Sequence, residues 1–385
     1  MNMPTAASMK RVLIVQRRLT AYRIRFFEAL RKELADRHIE LILAHGTPTD
    51  REETKRDSGS LSWAHKLNTS YILGDRICWQ PFNELALASD LTILTHENKL
   101  ICNLWAQYLL TKSRVALWGH GANLQGNNTS LRERFKRSTA GQADWWFGYT
   151  EMSRQLILQS GFPAERVSIV ENSIDTIQLS SCFDMAKKMG GENLRHELGI
   201  KGRCVGAFIG SLYSEKRIDF LLEAAQRVRT EIPEFELLVA GAGPDSSKVK
   251  ALSANSPWIH YFGPVNTEQK AKILAISRVM LNPGLVGLGI LDSFVSQVPM
   301  VTTDCGLHSP EISYLDNGNN GLLTPNNMSA YVDAVMKVLR NDSLHVRLAS
   351  GCANSAVRYS IENMTHRFAN GIVNCLNTPP WRCRS

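Results

Sequence analysis

Three side chains with reactive heads stand just past runs that read as strands. Lys216 follows the apolar run Cys204–Ile209 and the turn Gly210-Ser211, and precedes the helical pattern Ile218–Val228. An ammonium in that position can neutralise a leaving diphosphate, and Arg217 beside it adds a second cation. The same lysine could equally be an exposed surface residue. Asp292 lies two or three residues into the helical pattern Ile290–Ser296. Its carboxylate can accept hydrogen bonds from ribose or sugar hydroxyls, or only favour a helix N-terminus, an effect of about 0.3–1 kcal/mol. His120 sits between Gly119 and Gly121, directly after Val115–Trp118. Flanking glycines let backbone and imidazole approach a ligand, although a histidine packed at a strand end has the same surroundings.

Asp292 belongs to the stretch Arg278–Glu311, which has the pattern of one βαβ unit. An apolar run, Val279–Leu281, leads into the glycine-rich turn Pro283–Gly289, the helix, and a second β-rich run, Met300–Thr303. Such a turn lies at the carboxyl end of its strand, where open α/β sheets bind ligands. Gly284, Gly287 and Gly289, with Leu288 between the last two, allow backbone N–H groups to meet an anion, and the helix points its positive end there. The phosphates of a nucleotide sugar fit this description. A tight βα connection shaped by glycines also fits it.

A second basic group occurs in the first βα turn, where Arg17, Arg18, Tyr22 and Arg23 follow the strand pattern Arg11–Gln16. Clustered arginines suit phosphate; a solvated loop is the plainer reading. Arg132, Arg134, Lys136 and Arg137 form a basic helical segment that suits anionic lipid headgroups or a solvated face.

These residues need a scaffold, and strand and helix patterns alternate twice to supply one. The first series starts at Arg11–Gln16 and Arg25–Leu34, and runs through Ile39–Ala44, Leu91–Leu94, Leu100–Leu110, Val115–Trp118, Trp145–Gly148 and Glu151–Ser160 to Val167–Val170. Residues 46–69 read as a long loop and 172–190 as a linker. The second series runs from Cys204–Ile209 through Phe235–Ala240, Ile259–Phe262 and the glycine-turn unit to Leu322–Leu323. Helical patterns follow at Ala330–Leu339, Leu344–Ala356 and Ile361–Leu376. The expectation is two doubly wound α/β domains, residues 1–180 and 181–360, with 361–385 reaching back to the first. Loops at both sets of strand ends imply a cleft between the domains.

The bulk properties agree. A chain of 385 residues suits two domains, and 44% hydrophobic residues suit a folded protein. The eight cysteines are scattered, without CxxC pairs or metal-ligand spacing, and read as reduced thiols. With no signal-peptide pattern and no apolar run long enough for a bilayer, the expected location is cytoplasmic. The net charge of +8, from 44 Lys plus Arg against 36 Asp plus Glu, suits an anionic ligand or membrane surface. Nucleic acid is disfavoured because no basic stripe interleaves with aromatics. A nicotinamide or flavin enzyme is disfavoured because neither half has a complete GxGxxG–acidic fingerprint.

Several segments in the second half resemble the retaining glycosyltransferases of glycosyltransferase family four, which have the GT-B fold of two facing Rossmann-like domains. Gly210 to Lys216 resembles the family's G-R-L-x-x-x-K turn. Val239-Ala240-Gly241-Ala242-Gly243-Pro244 resembles V-G-x-G-P, and Tyr261-Phe262-Gly263-Pro264-Val265 resembles F-x-G-x-V. Asp292 to Val301 resembles E-A-M-A-x-G-x-P-V-V. Trp118-Gly119-His120-Gly121, Tyr149-Thr150 and Asn172–Asp175 resemble a branch active on bacterial surface polysaccharides. The resemblance implies transfer of a hexosyl group from a nucleotide diphosphate sugar to a glycan or lipid-linked hydroxyl, with retention and without a metal or other cofactor. It implies catalytic roles for His120, Lys216 and Asp292. Donor contacts would come from Gly210, Ser211, Arg217, Gly241, Gly243, Pro264, the turn Gly284–Gly289 and Glu311. Acceptor contacts would come from Arg18, Tyr22, Arg23 and Asn98. Three positions depart from the family pattern. The first of its two glutamates falls on Gly284, the second on Asp292, and its arginine falls on Ser211. A non-catalytic sugar-nucleotide-binding protein and a sugar-nucleotide epimerase are the rival readings.

Overall fold

A computed structural model describes residues 9–53, 57–97, 99–121 and 139–381. Asn98 and the basic segment Arg132–Arg137 lie outside the described residues. The chain divides into two compact units, Met1–Asp175 with Ile361–Ser385, and Thr176–Ser360.

The first unit contains strands β1 (Lys10–Gln16), β2 (Ile39–His45), β3 (His65–Lys66), β4 (Ser70–Ile72), β5 (Ile77–Trp79), β6 (Leu91–Thr95), β7 (Arg114–Gly119), β8 (Trp145–Gly148) and β9 (Val167–Ile169). Seven form a parallel sheet in the order β3-β2-β1-β6-β7-β8-β9. Its centre is apolar on both faces, as a sheet covered by helices requires. Val12 and Ile14 pack with Phe26, Phe27, Leu30 and Leu34 of helix Ile24–Ala35 and with Phe368 of helix Ile361–Asn377. Leu13 and Val15 turn to the other face, against Phe82, Cys102 and Ala106. Register is direct, Val12 opposite Leu41 on one side and Leu91 on the other.

The second unit repeats the plan with β10 (Cys204–Ile209), β11 (Phe235–Ala240), β12 (Ile259–Gly263), β13 (Val279–Leu281), β14 (Met300–Thr303) and β15 (Gly321–Thr324). They form a parallel sheet in the order β12-β11-β10-β13-β14-β15. In both sheets the strand order reverses beside the first strand, between β1 and β6 and between β10 and β13. The loops leaving those strands diverge there and open a crevice at their carboxyl ends.

Two segments differ from the sequence expectation. Residues 172–190 carry the helix Ile177–Met189, closed by Gly190 at φ 85°. Only Leu179, Phe183 and Ala186 are buried along it, so its apolar stripe is sparse and easily overlooked. The stretch 46–69 carries β3 and the one-turn helix Asp50–Glu53, both too short for periodicity to show. Residues 70–79 form an antiparallel hairpin with Ile72 opposite Ile77.

Candidate functional site

At the reversal in the second sheet, the loops after β10 and β11 are pressed together. Gly210 N–H donates to Ala240 O at 3.0 Å and Leu212 N–H to Ala242 O at 2.9 Å. Gly241 is forced by this approach: its φ is 140°, and a Cβ there would stand 1.8 Å from Gly210 O. The glycines of this turn therefore serve loop packing, whatever else they do.

Lys216 ends the loop after β10. Its Nζ donates to Leu285 O at 2.5 Å and lies 5.9 Å from the Tyr213 ring centroid. No carboxylate among the described residues pairs with it. Burial without a compensating anion pushes its pKa down to about 8. Arg217 follows in a left-handed conformation, φ 56°. Its guanidinium donates to Pro283 O at 3.2 Å, Thr303 Oγ1 at 3.0 Å and Asn326 Oδ1 at 2.6 Å. Arg217 thus staples the two loops through neutral acceptors, and Lys216 keeps an ammonium with no carboxylate partner among the described residues.

The glycine turn leaves β13 directly across from Lys216. Leu285 N–H donates to Glu215 O at 2.8 Å. Gly284 is the point of contact: a Cβ there would sit 2.3 Å from Glu215 O and 2.7 Å from Lys216 Cα. The backbone of Glu215-Lys216 occupies the space where a larger residue's side chain would begin. Further along, the amides of Gly287, Leu288 and Gly289 find no acceptor among the described residues. All three residues have solvent access, so three successive donors are open to an anion. The helix that follows, Ile290–Val295, is only six residues long, so its dipole contributes less than the sequence pattern suggests.

His308 braces this turn. Val286 N–H donates to its Nδ1 at 3.0 Å, and its Nε2 lies 2.7 Å from Thr303 O. Burial lowers its pKa, which favours the neutral ring that this pair of contacts needs. No sequence pattern marks His308; its bracing role depends on β14 lying beside β13.

The remaining donor-side residues are dispersed. Asp292 is buried, and its Oδ2 accepts from Lys270 Nζ at 2.9 Å. Its carboxylate is therefore already held by an ammonium, which the spacing in sequence did not reveal. Glu311 is buried in the short helix Pro310–Tyr314. Ser211 and Pro264 are exposed at the ends of β10 and β12. Among the described residues no three His, Cys, Asp or Glu side chains gather as a metal site would need.

At the reversal in the first sheet the charges are arranged differently. Arg17 makes a two-pronged contact with Glu52, at 2.6 and 2.7 Å, and lies 3.4 Å from Glu97. Although burial opposes it, the hydrogen bonds that Arg17 donates to Glu52 and the nearby carboxylates raise the Arg17 pKa. Arg18 is gripped by Asp57 at 2.6 and 2.9 Å. The expected phosphate-binding cluster is thus largely neutralised by carboxylates from the loop after β2.

Arg23 has no carboxylate partner among the described residues. Its buried guanidinium lies 5.1 Å from the Tyr22 ring centroid, 4.9 Å from Trp118 and 5.8 Å from Tyr149. His120 is exposed and meets Tyr149 edge to face, with centroids 4.5 Å apart. The structure therefore gathers His120, Tyr149, Tyr22 and Arg23. It gathers Lys216, Arg217 and the glycine turn separately, in the second unit.

Residues 203–341 match the family model described as Glycosyl transferases group 1. The chain is 23% identical over 177 residues to an alpha-D-kanosaminyltransferase of Streptomyces kanamyceticus, covering 44% of this chain and 45% of that protein. It is 25% identical over 139 residues to the D-rhamnosyltransferase WbpZ of Pseudomonas aeruginosa, covering 34% and 35%. The chain thus spans less than half the length of these relatives. Among solved structures, Anabaena Alr3699/HepE in complex with UDP aligns with TM-score 0.69 at 15% identity, covering 95% of this chain and all of that one. A glycosyltransferase from Rickettsia africae gives 0.69 at 15% identity, covering 97% and 100%. These likenesses show the fold, two Rossmann-like domains of the GT-B glycosyltransferase type.

Proposed function

We propose that the chain is a glycosyltransferase that moves a hexosyl group from a nucleotide diphosphate sugar to a hydroxyl of a glycan or lipid-linked acceptor. The observation that carries this reading is Lys216, a partly buried ammonium with no carboxylate partner among the described residues, beside the open amides of Gly287, Leu288 and Gly289. A diphosphate supplies the missing counter-charge. As the bond from the anomeric carbon to the phosphate oxygen breaks, negative charge grows on that oxygen. A preorganised ammonium and backbone donors stabilise that charge without reorganisation. The match of residues 203–341 to the glycosyltransferase family model supports the assignment, and the UDP and UDP-glucose complexes of the Anabaena neighbour make UDP the first nucleotide to try.

In this reading the second unit holds the donor and the first presents the acceptor. His120, edge-on to Tyr149 and exposed, is the residue of the first unit assigned to the reacting sugar. Arg23 and Tyr22 line the acceptor side. Arg18 is withdrawn from phosphate binding by Asp57. Transfer with retention, membership of family four and metal independence follow the sequence resemblance. Surface-polysaccharide or glycolipid assembly at the inner face of the cytoplasmic membrane is the corresponding setting.

One observation favours the second reading, a sugar-nucleotide-binding protein without turnover. The family's first glutamate falls on Gly284, where a Cβ would collide with the Glu215 carbonyl. One experiment separates the two. Thermal unfolding is followed with UDP, GDP, CMP and dTDP and their common sugars, and donor consumption is then measured with glycan and lipid acceptors and with EDTA. Saturation at 100 times Kd stabilises by about 2.7 kcal/mol. Stabilisation with EDTA-resistant turnover supports the transferase, stabilisation without turnover supports the binding protein, and no stabilisation by any nucleotide removes both.

A further inference from the structure

Three neighbouring strands of the first sheet leave polar atoms without partners at their carboxyl ends. Gln16 ends β1, Thr95 ends β6, and Trp118 is the next-to-last residue of β7. Thr95 stands opposite Trp118, and Gln16 follows Val15, which stands opposite Leu94. The three therefore form one row across the place where the strand order reverses. They also share a face. Val12, Ile14, Leu91, Ile93, Ala116 and Trp118 pack on the side covered by helices Ile24–Ala35 and Ile361–Asn377. Alternation along each strand carries Gln16 and Thr95 to that same side. Gln16 Nε2, Thr95 Oγ1 and Trp118 Nε1 are buried and find no hydrogen-bond partner among the described residues.

Arg23 lies over this row. Its guanidinium carbon is 4.9 Å from the Trp118 ring centroid, and the residue is 5% exposed. Among the described residues its one hydrogen-bond partner is Met364 Sδ, 3.8 Å from Nη1. The carboxylates of neighbouring segments are engaged elsewhere. Asp57 holds Arg18, Asp175 lies 3.2 Å from Arg25, and Glu171 lies 2.8 Å from Arg367. Glu52 and Glu97 are drawn to Arg17. Two of the rings around the guanidinium, Trp118 and Phe26, are buried. The other two, exposed Tyr22 and half-buried Tyr149, reach solvent, and exposed His120 meets Tyr149. A group coming from solvent therefore reaches Arg23 past the two tyrosines.

A buried polar group without a partner carries a desolvation cost that nothing repays. Here the orphaned atoms of one row lie under a guanidinium that lacks a counter-ion. Their chemistry selects the ligand. The Gln16 Nε2, Trp118 Nε1 and Arg23 groups can only donate, and Thr95 Oγ1 alone can also accept. A neutral sugar brings hydroxyl protons that need acceptors, which this row does not supply. A carboxylate or phosphate brings acceptors only, and pairs with a guanidinium through charge-assisted hydrogen bonds. We propose that the carboxyl ends of β1, β6 and β7 hold an anionic sugar. Its carboxylate or phosphate is drawn to Arg23, and its ring lies against Tyr22 and Tyr149. The ligand's role as acceptor rests on the transferase reading, and it makes the acceptor an acidic glycan. The binding itself stands on the first unit alone.

The test uses the full chain carrying Lys216→Ala, so that the unmatched ammonium of the second unit does not answer to anions. Thermal unfolding is followed with glucuronate, glucose 6-phosphate, glucose and inorganic phosphate at matched ionic strength. Glucuronate or glucose 6-phosphate is expected to stabilise saturably, roughly tenfold or more tighter than glucose or inorganic phosphate. Which of the two binds distinguishes a carboxylate from a phosphate on the acceptor. Adding Arg23→Met should weaken that binding roughly tenfold or more, the loss of a charge-assisted contact. Adding Thr95→Val, which removes the hydroxyl at nearly constant shape, should weaken it about two- to tenfold without lowering the unliganded midpoint. Should Arg23→Met fail to fold, Thr95→Val carries the test. The proposal is overturned if neither anionic sugar outbinds glucose, which leaves the row to enclosed water. It is also overturned if inorganic phosphate binds as tightly as the sugars, or if the folded variants bind like their Lys216→Ala parent. Failure of every nucleotide to stabilise wild type removes the transferase reading and leaves this result standing.

Discussion

Both sheets reverse strand order beside their first strand, and both reversals collect basic residues, but Arg17 and Arg18 of the first loop are matched by carboxylates while Lys216 of the second is not. After β1, Arg17 and Arg18 are met by Glu52, Asp57 and Glu97, all supplied by distant loops. After β10, Lys216 meets a carbonyl oxygen and the edge of a crowded turn. An ion pair satisfied within the protein gains little from an incoming phosphate, because it must first be broken. An isolated, partly buried ammonium gains the whole interaction. Counting basic residues would rank the first loop above the second; counting their partners reverses that order.

The contrast is broken most severely at Gly284. Gly284→Glu, which restores the family residue, drives a side chain into the Glu215-Lys216 backbone. We expect a loss of about 2–4 kcal/mol of stability and loss of nucleotide binding, read from denaturant unfolding and calorimetry. A stable, nucleotide-binding variant would mean that the two loops are not locked together.

Lys216→Ala sharpens the contrast. Removing a charge-assisted contact worth about 1.5–3 kcal/mol lowers nucleotide-diphosphate affinity roughly 10- to 150-fold. Arg18→Ala should leave that affinity within about twofold, since its guanidinium serves Asp57. Equal losses in the two variants would dissolve the distinction.

Acid tests the matched pair. The hydrogen bond from Arg17 holds the Glu52 pKa down to about 2, against an ordinary 4.5. A depressed carboxylate contributes stability above pH 4.5 and loses it as pH falls toward about 2. Arg17→Met should flatten that acid limb of the stability–pH curve. An unchanged limb would show that Glu52 is held by other groups.

The smallest effect is alkaline. Diphosphate binding needs the Lys216 ammonium, whose pKa in the free protein is near 8. A bound anion raises it, so affinity is complete below about pH 8 and declines above it. For the unliganded fold the sign is opposite. The buried charge is a cost below about pH 8, relieved as pH rises toward the ordinary 10.5. Isothermal titration across pH 7–10 reads the first effect, and it should vanish in Lys216→Ala.

Much of this architecture was legible in the chain. Strands buried on both faces, such as Val12–Val15 and Leu237–Ala240, are unbroken apolar runs, and the turn glycines punctuate them. Short elements were not legible, because β3 and the Asp50–Glu53 helix span too few residues for a period to emerge. The candidate site divides likewise. Lys216 and the turn Gly284–Gly289 could be named from local order, since a strand, a turn and a helix start are local features. The pairings of Asp292 with Lys270 and of Arg18 with Asp57 could not.

What the sequence determined by itself is the alternation of elements, and therefore which loops lie at the carboxyl ends of parallel strands. Hydrophobic period and turn chemistry act between near neighbours along the chain and need no tertiary knowledge. The tertiary structure alone decided which charges are already spent. It placed the carboxylates of Glu52 and Asp57 on the arginines of the first loop and left Lys216 facing a carbonyl. It also turned Asn103 and Gln107 of helix Ile101–Leu109 inward and left Ile101, Tyr108 and Leu109 exposed. Those outcomes depend on contacts between residues tens of positions apart, and in such contacts desolvation and ion pairing, rather than local propensity, determine the balance.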